Sequence, residues 1–346
     1  ALELARLQRA VTLLDQDPLP MNRASLRNEG KIHLGLVYAA DPSMATARLQ
    51  LDGALRFWPL LRRWIGGALE DADALLGLSR LFHYLVATDS LLSADQLQAH
   101  YARLQADYRE RIDRAPDLDY LGALPKRLYR RLGSNELCRH YDTGSLCAGF
   151  STVERSVSTG RLAASLRDAV RRSPQIEFLG SHHVSRVEPC AEGYRIKGTA
   201  GNQSFEMYAV QIVNAAWEGR LALDHQVGLK HAGFVHRLKY RAMVRLPDRA
   251  EANMAPSVTM VLGRYGDVVI RPDHKAYFSW YPVAMRGWSH SLSPPESWQR
   301  ACRGDVDKND REKIASDMLE AIGKWYPGLQ KSTPILVDAG IIVAFG

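Results

Sequence analysis

Cysteine is scarce in this chain. Its 346 residues hold four, Cys138, Cys147, Cys190 and Cys302. No two of them form a CxxC pair, and no His/Cys spacing fits a zinc site, so no metal centre is expected. Unclustered thiols in a chain of this size point to a reducing compartment, which predicts a cytoplasmic location and no Cys138–Cys147 disulfide. Long apolar runs are missing too. None approaches the roughly 18 residues that a membrane helix needs, so no transmembrane segment is expected. A basic stripe is also absent: the net charge is +7, but Lys and Arg are dispersed. That pattern argues against a nucleic-acid partner and suits a small anionic ligand. No GxGxxG occurs anywhere. What remains is ordinary for a globular protein, with 46% hydrophobic and 24% charged residues, and the length suits two intimately packed domains.

Taken in order, residues 1–9 read as the end of a helix. Val11-Thr12-Leu13-Leu14 reads as a short strand, followed by Asp15 and Asp17 and then a loop forced by Pro18 and Pro20. A helix follows from about 43 to 65, with Met44, Ala47, Leu51, Leu55, Trp58, Leu61 and Ile65 on one face and Gly66-Gly67 at its end. Leu81–Val86 reads as a strand. Ser93-Ala94-Asp95-Gln96 is a capping box, and its helix carries Leu97, Tyr101, Leu104, Tyr108 and Ile112 inward. Residues 113–150 read as irregular, and the arginines Arg127, Arg130, Arg131 and Arg139 there as a solvated face.

Beyond 150 a helix begins at Thr159. Strands are expected at Ile176–Leu179 and His182–Glu188, with a hairpin through Tyr194–Ile196 and Phe205–Met207. Val210–Ala216 reads as a buried strand ending in small residues. His182 and His183 are strand neighbours that point to opposite faces, which does not favour a shared metal ion. A mostly antiparallel sheet is expected over 236–290, then a helix over about 310–325 and a strand from Gly340 to Ala344. Both ends read as cut, with Ala1 already inside a helical pattern and Gly346 directly after the last strand.

The stretch around which the chain is organised is Ala24-Ser25-Leu26-Arg27-Asn28-Glu29-Gly30-Lys31-Ile32-His33-Leu34-Gly35-Leu36-Val37-Tyr38. Gly30 and Gly35 permit close approach of backbone to a flat ring. Asn28, Glu29, Lys31 and His33 supply hydrogen bonds and charge. Helix, short link, strand and acid, as in residues 1–15, is also the second half of a βαβ dinucleotide-binding unit, where the acid meets a ribose hydroxyl. Taken alone, Asp15 reads sooner as an ordinary surface acid after a strand.

In this order the elements resemble the FAD-dependent oxidoreductases of the D-amino-acid oxidase type, including glycerol-3-phosphate and L-2-hydroxyglutarate dehydrogenases. The Val11-to-Asp15 strand is similar to the family's second strand, with Asp15 where Glu is usual. Ala24-Ser25 resembles the Ala-Ser before the flavin loop. Asn28-x-Gly30-x-Ile32-His33-x-Gly35-x-x-Tyr38 is similar to the run that passes the isoalloxazine. Glu154 and the Thr159 helix resemble the lead into the interior FAD strands. Val213-Asn214-Ala215-Ala216 resembles a strand end that normally finishes in Gly, here Trp217.

The resemblance implies an α/β fold with α+β elements, a two-dinucleotide-binding-domain flavoprotein. A Rossmann-like FAD domain (1–70 and 150–232) would interleave with an antiparallel-sheet substrate domain (71–149 and 233–337), and 338–346 would return to the FAD domain. The first GxGxxG and the last FAD segment are expected beyond the ends supplied. The cofactor implied is FAD, held by Asp15, Ala24, Ser25, Asn28, Glu29, Gly30, Lys31, Ile32, Gly35, Val184, Asn214, Ala215 and Ala216.

The chemistry implied is removal of a hydride from a CH–OH or CH–NH group of a small, anionic substrate. His33 is the candidate general base. Tyr38, Arg271, Tyr277, Trp280 and Tyr281 are substrate-side candidates, since Arg clamps carboxylate or phosphate and Tyr caps it. Two other readings stand beside this one: a non-catalytic flavin-fold binding module, and a flavin monooxygenase. The latter needs a late Gly-Asp contact, which Gly266-Asp267 and Gly304-Asp305 supply only in the wrong context.

Overall fold

A computed structural model describes residues 1–66, 71–248 and 254–345; Gly67 and Gly346 of the sequence reading lie outside them. The strands are β1 (Val11–Leu14), β2 (Phe82–Ala87), β3 (Tyr129–Arg131), β4 (Leu146–Thr152), β5 (Ile176–Leu179), β6 (His182–Cys190), β7 (Gly193–Ala200), β8 (Gln203–Ala209), β9 (Phe234–Arg245), β10 (Ser257–Val261), β11 (Gly266–Ile270), β12 (Lys275–Trp280), β13 (Met285–Ser289) and β14 (Thr333–Phe345). The helices used below are α1 (Ala45–Ile65), α2 (Ala94–Arg114), α3 (Ser134–His140), α4 (Thr159–Arg172) and α5 (Lys308–Gly323). No helix among the described residues is long and apolar enough to cross a membrane.

Local sequence explains the long helices. In α1 the stripe Ala47, Leu51, Leu55, Trp58 and Leu61 is buried, at the three- and four-residue spacing that keeps side chains on one face. In α2 the expected box closes: Ser93 Oγ accepts from Gln96 N at 3.2 Å, and Gln96 Oε1 accepts from Ser93 N at 2.8 Å.

The strands form three sheets. β1 and β5 pair in parallel. β6, β7 and β8 make an antiparallel meander. The large sheet runs β13-β9-β12-β11-β10-β2-β4-β3, with β14 on the other side of β9. It is antiparallel except where β10 meets β2. Register puts Phe150, Tyr84, Thr259 and Asp267 in one row across four strands. Val269, Tyr277 and Met243 lie in the next row of the same face. That face packs on α1, α2 and residues 32–39. The opposite face, with Leu85, Met260, Ile270, Phe278 and Val244, packs on Ile314, Met318 and Ile322 of α5.

Three expectations are corrected. Residues 113–150 are not irregular: they hold β3, α3 and most of β4. β4 carries the Leu-Cys-Ala-Gly-Phe run, whose alternate members Ala148 and Phe150 bury against α2. Val210–Ala216 is not a buried strand. It forms no ladder, and Val210 and Val213 are 78% and 75% exposed, because no strand of the described structure lies beside them. The last strand is longer than read, pairing along the whole of β9.

Candidate functional site

Residues 21–38 cross the mouth between the parallel pair and the large sheet, and they are tied down from every side. Asp17 is buried and accepts from Asn22 Nδ2 at 3.1 Å and from Arg23 Nε and Nη2 at 3.1 and 3.0 Å. Burial pushes its carboxyl up, but Arg23 and Asn22 outweigh that and hold it below the usual value. Arg27 pairs with Asp338 at 3.3 Å, and Arg241 forks onto the same carboxylate at 2.6 and 3.1 Å. Asn28 closes the turn on itself: Nδ2 donates to Ala24 O and Ser25 O, and Oδ1 accepts from Gly30 N at 2.7 Å.

Gly30 stands at φ +70°, where an added Cβ would lie 2.2 Å from Val157 O. Gly35, at φ +93°, meets Ala47 O in the same way. The close approach that each glycine permits is therefore to the protein's own backbone. Val157 N donates to Gly30 O and Ile32 N to Arg155 O, while Ile32 O accepts from Tyr120 Oη at 2.9 Å. The tripeptide 30–32 is stapled to the segment after β4.

Lys31 points down from this staple into the sheet, and its side chain is fully buried. The ammonium donates to Thr259 Oγ1. It lies 3.6 Å from both Glu154 Oε2 and Asp267 Oδ1, and 4.0 Å above the Phe82 ring. Glu154 also accepts from Tyr84 Oη at 2.5 Å and Leu34 N at 2.7 Å. Every carboxylate in the cluster has donors, as a dry site requires.

On either side of the staple, Glu29 and His33 face each other. His33 Nε2 lies 3.8 Å from Glu29 Oε1, and the two side chains are 19% and 22% exposed. The ring stands edge-on to Tyr38 at 5.7 Å, and its Nδ1 is buried without a partner. Burial would raise the Glu29 carboxyl, but His33 and Lys239 hold it well below the usual carboxylate range. Burial likewise raises the Tyr38 hydroxyl, with help from Glu29, to about 12.

Across from them β9 supplies Lys239. Its ammonium lies 4.5 Å over the Tyr281 ring and has no ion-pair partner among the described residues. Burial works against its charge, yet Tyr277, Glu29, Tyr281 and Asp267 together keep it well above the ordinary lysine value. Lys239 is thus a cation on the same side as Glu29, held over an aromatic ring.

The structure thus brings Glu29, His33, Tyr38, Tyr277 and Tyr281 together. Others lie apart. Arg271 spends its guanidinium on Gly77 O and Val157 O, at 3.1 and 2.8 Å, and burial lowers its pKa to about 10. Trp280 packs with Tyr265 and Trp325 on the α5 side. Asp15 ends β1, half-buried, where burial raises its carboxyl. Val184 sits at the β6–β7 bulge. Asn214 bonds Arg220 O and Asp224, and Ala215 and Ala216 are exposed. Ala24 and Ser25 serve through their carbonyls, accepting from Asn28. Sequence reading missed Lys239. Its signal was there in β9, where Arg237, Lys239 and Arg241 alternate as one basic face of an otherwise apolar strand.

A family model described as FAD dependent oxidoreductase, DAO, matches residues 1–342. Among solved structures, glycine oxidase from Geobacillus kaustophilus superposes with a TM-score of 0.68 at 16% identity, covering 99% of this chain and 79% of that one. Iminodiacetate oxidase from Chelativorans sp. BNC1 gives 0.65 at 20%, covering 100% and 80%. L-alpha-glycerophosphate oxidase from Mycoplasma pneumoniae, with FAD bound, gives 0.59 at 13%, covering 99% and 80%. No curated protein matches by sequence. The structural likenesses establish the fold, and the family match across nearly the whole length establishes membership: this chain belongs to the DAO family of FAD-dependent oxidoreductases, with FAD as its cofactor.

Proposed function

We propose that the protein removes a hydride from a C–H bearing a hydroxyl or amine in a small anionic substrate, as a dehydrogenase or an oxidase. The observation that carries this reading is Lys239, seated over the Tyr281 ring and held charged in part by Glu29, with His33 beside Glu29. The division into an FAD part and a substrate part, read from the sequence, is kept as part of the proposal. So is a reducing, cytoplasmic setting, since all four cysteines are free.

The residues present suit FAD. Asp15 accepts one hydrogen bond, from Asp17 N at 2.9 Å, and is otherwise a half-buried carboxylate at the end of a parallel strand. A ribose hydroxyl donating to it supplies what burial withholds. The stapled stretch 24–35 offers a rigid rim, since Asn28 and Lys31 are spent on holding it in place.

Bound FAD supplies the two-electron acceptor. The chain's own groups do the rest. Lys239 holds the substrate's carboxylate or phosphate, with Tyr277 and Tyr281 as walls. His33 takes the proton of the hydroxyl or ammonium at Nε2, because Nδ1 is sealed. The large sheet closes the site from behind and excludes water.

The test is anaerobic bleaching of the flavin band near about 450 nm by candidate hydroxy acids, amino acids and phosphates. His33→Gln is expected to slow bleaching by roughly 10². Lys239→Met is expected to raise KM about tenfold or more, the worth of a charge-assisted contact. An unchanged reduction rate and an unchanged KM would remove these roles.

A further inference from the structure

Glu29 has no task in the scheme above, yet the fold spends effort on it. It and His33 are the two residues flanking the stapled tripeptide 30–32. Gly30 O, Ile32 N and Ile32 O are each bound to a fixed partner, and Lys31 is locked between them into the sheet. The spacing of Glu29 from His33 is therefore set by the scaffold, not by two free side chains. The ring has one polar neighbour on its Nε2 side, the Glu29 carboxylate. On the other side Nδ1 has none, and Tyr38 meets the ring edge-on.

We propose that Glu29 is a positioning residue for the reaction: its carboxylate, 3.8 Å from His33 Nε2, stabilises through space the imidazolium formed when that nitrogen takes the substrate proton. Lys239 completes the arrangement from β9 by keeping Glu29 a carboxylate, so that Glu29 does not hold the proton itself. The proton passes from the substrate's hydroxyl or ammonium to His33 Nε2, and no bond to Glu29 forms or breaks. A carboxylate a few ångströms from a developing cation stabilises it through space. The inference rests on the reading of His33 as the base. The other titratable groups facing the pair are Tyr38, Tyr277, Tyr281, Lys239 and Asp267.

The experiment compares Glu29→Gln, Glu29→Asp and Glu29→Ala in the holoenzyme by anaerobic stopped flow. If charge is what matters, Gln lowers the rate of flavin reduction roughly 10- to 100-fold with little change in KM, while Asp recovers part of the loss. A second readout needs no turnover. In carboxyl-labelled protein the Glu29 signal, identified by its loss in Glu29→Gln, is expected to stay ionised far into acid and to climb toward the ordinary range in His33→Gln.

A Gln variant with native rate overturns the proposal, as does a Glu29 titration blind to His33→Gln. If His33→Gln itself reduces flavin normally, the base assignment fails instead, and the two failures are told apart.

Discussion

Replacing Lys31 by Met tests the claim that the buried cluster holds the 30–32 tripeptide on the sheet. Met keeps the length and removes the charge. Glu154 Oε2 and Asp267 Oδ1 each lie 3.6 Å from the ammonium, and the Lys31 and Glu154 side chains are fully buried. At an effective dielectric of about 20, one such pair attracts by about 4–5 kcal/mol. Desolvation takes back much of that while the pair is intact. Removing one partner does not return the desolvation cost, because two carboxylates stay buried without their cation, and the expected loss is about 3–5 kcal/mol. That is a large part of the roughly 5–15 kcal/mol a folded domain has to lose. Urea unfolding at neutral pH should show it directly. If Lys31→Met folds too poorly to measure, Lys31→Met/Glu154→Gln should be the better-behaved protein, because it leaves one buried carboxylate instead of two. A single variant within about 1 kcal/mol of the parent, or a double variant no better than the single, would refute the reasoning.

Two further outcomes follow from the same geometry. Asp17→Asn should cost about 1–3 kcal/mol at neutral pH through its bonds to Arg23. The Asp17 carboxyl is held below its unfolded value of about 3.9, so its contribution is present above that pH and disappears as pH falls through the folded value. Stability curves of parent and variant should therefore converge in acid. Arg271→Leu should lower stability by about 1–3 kcal/mol, because Gly77 O and Val157 O lose their donor. A raised KM without lost stability would return Arg271 to the substrate site.

Much of the local architecture was legible in the chain. The Ser93 box, the α1 stripe and the strands with period-two alternation are decided within a few residues, and each stands where it was read. Reading failed where the deciding partner is remote. The 146–152 run was taken for loop because its glycine and small residues suggest one; as a strand it works because Gly149 leaves room for the side chains of Leu137 and Leu132 from outside the strand. The 210–216 run is apolar enough for a buried strand, but a strand also needs a neighbour to bond with, and the described structure places none there.

The site divides along the same line. The resemblance carried by the order of motifs was enough to name the family and the cofactor, because glycine, capping and strand signals act at short range. Which side chains do what was decided by the tertiary structure. Lys31 reads as a flavin ligand in the sequence, and it is a buried pin in the structure because Thr259, 228 positions away, lies beneath it. Arg271 reads as an anion clamp and serves as a loop tie. Lys239, anonymous on its strand, is the cation proposed for the site because β9 sets it over Tyr281. Charges act through space across a few ångströms, and only the folded chain determines which charges come that close.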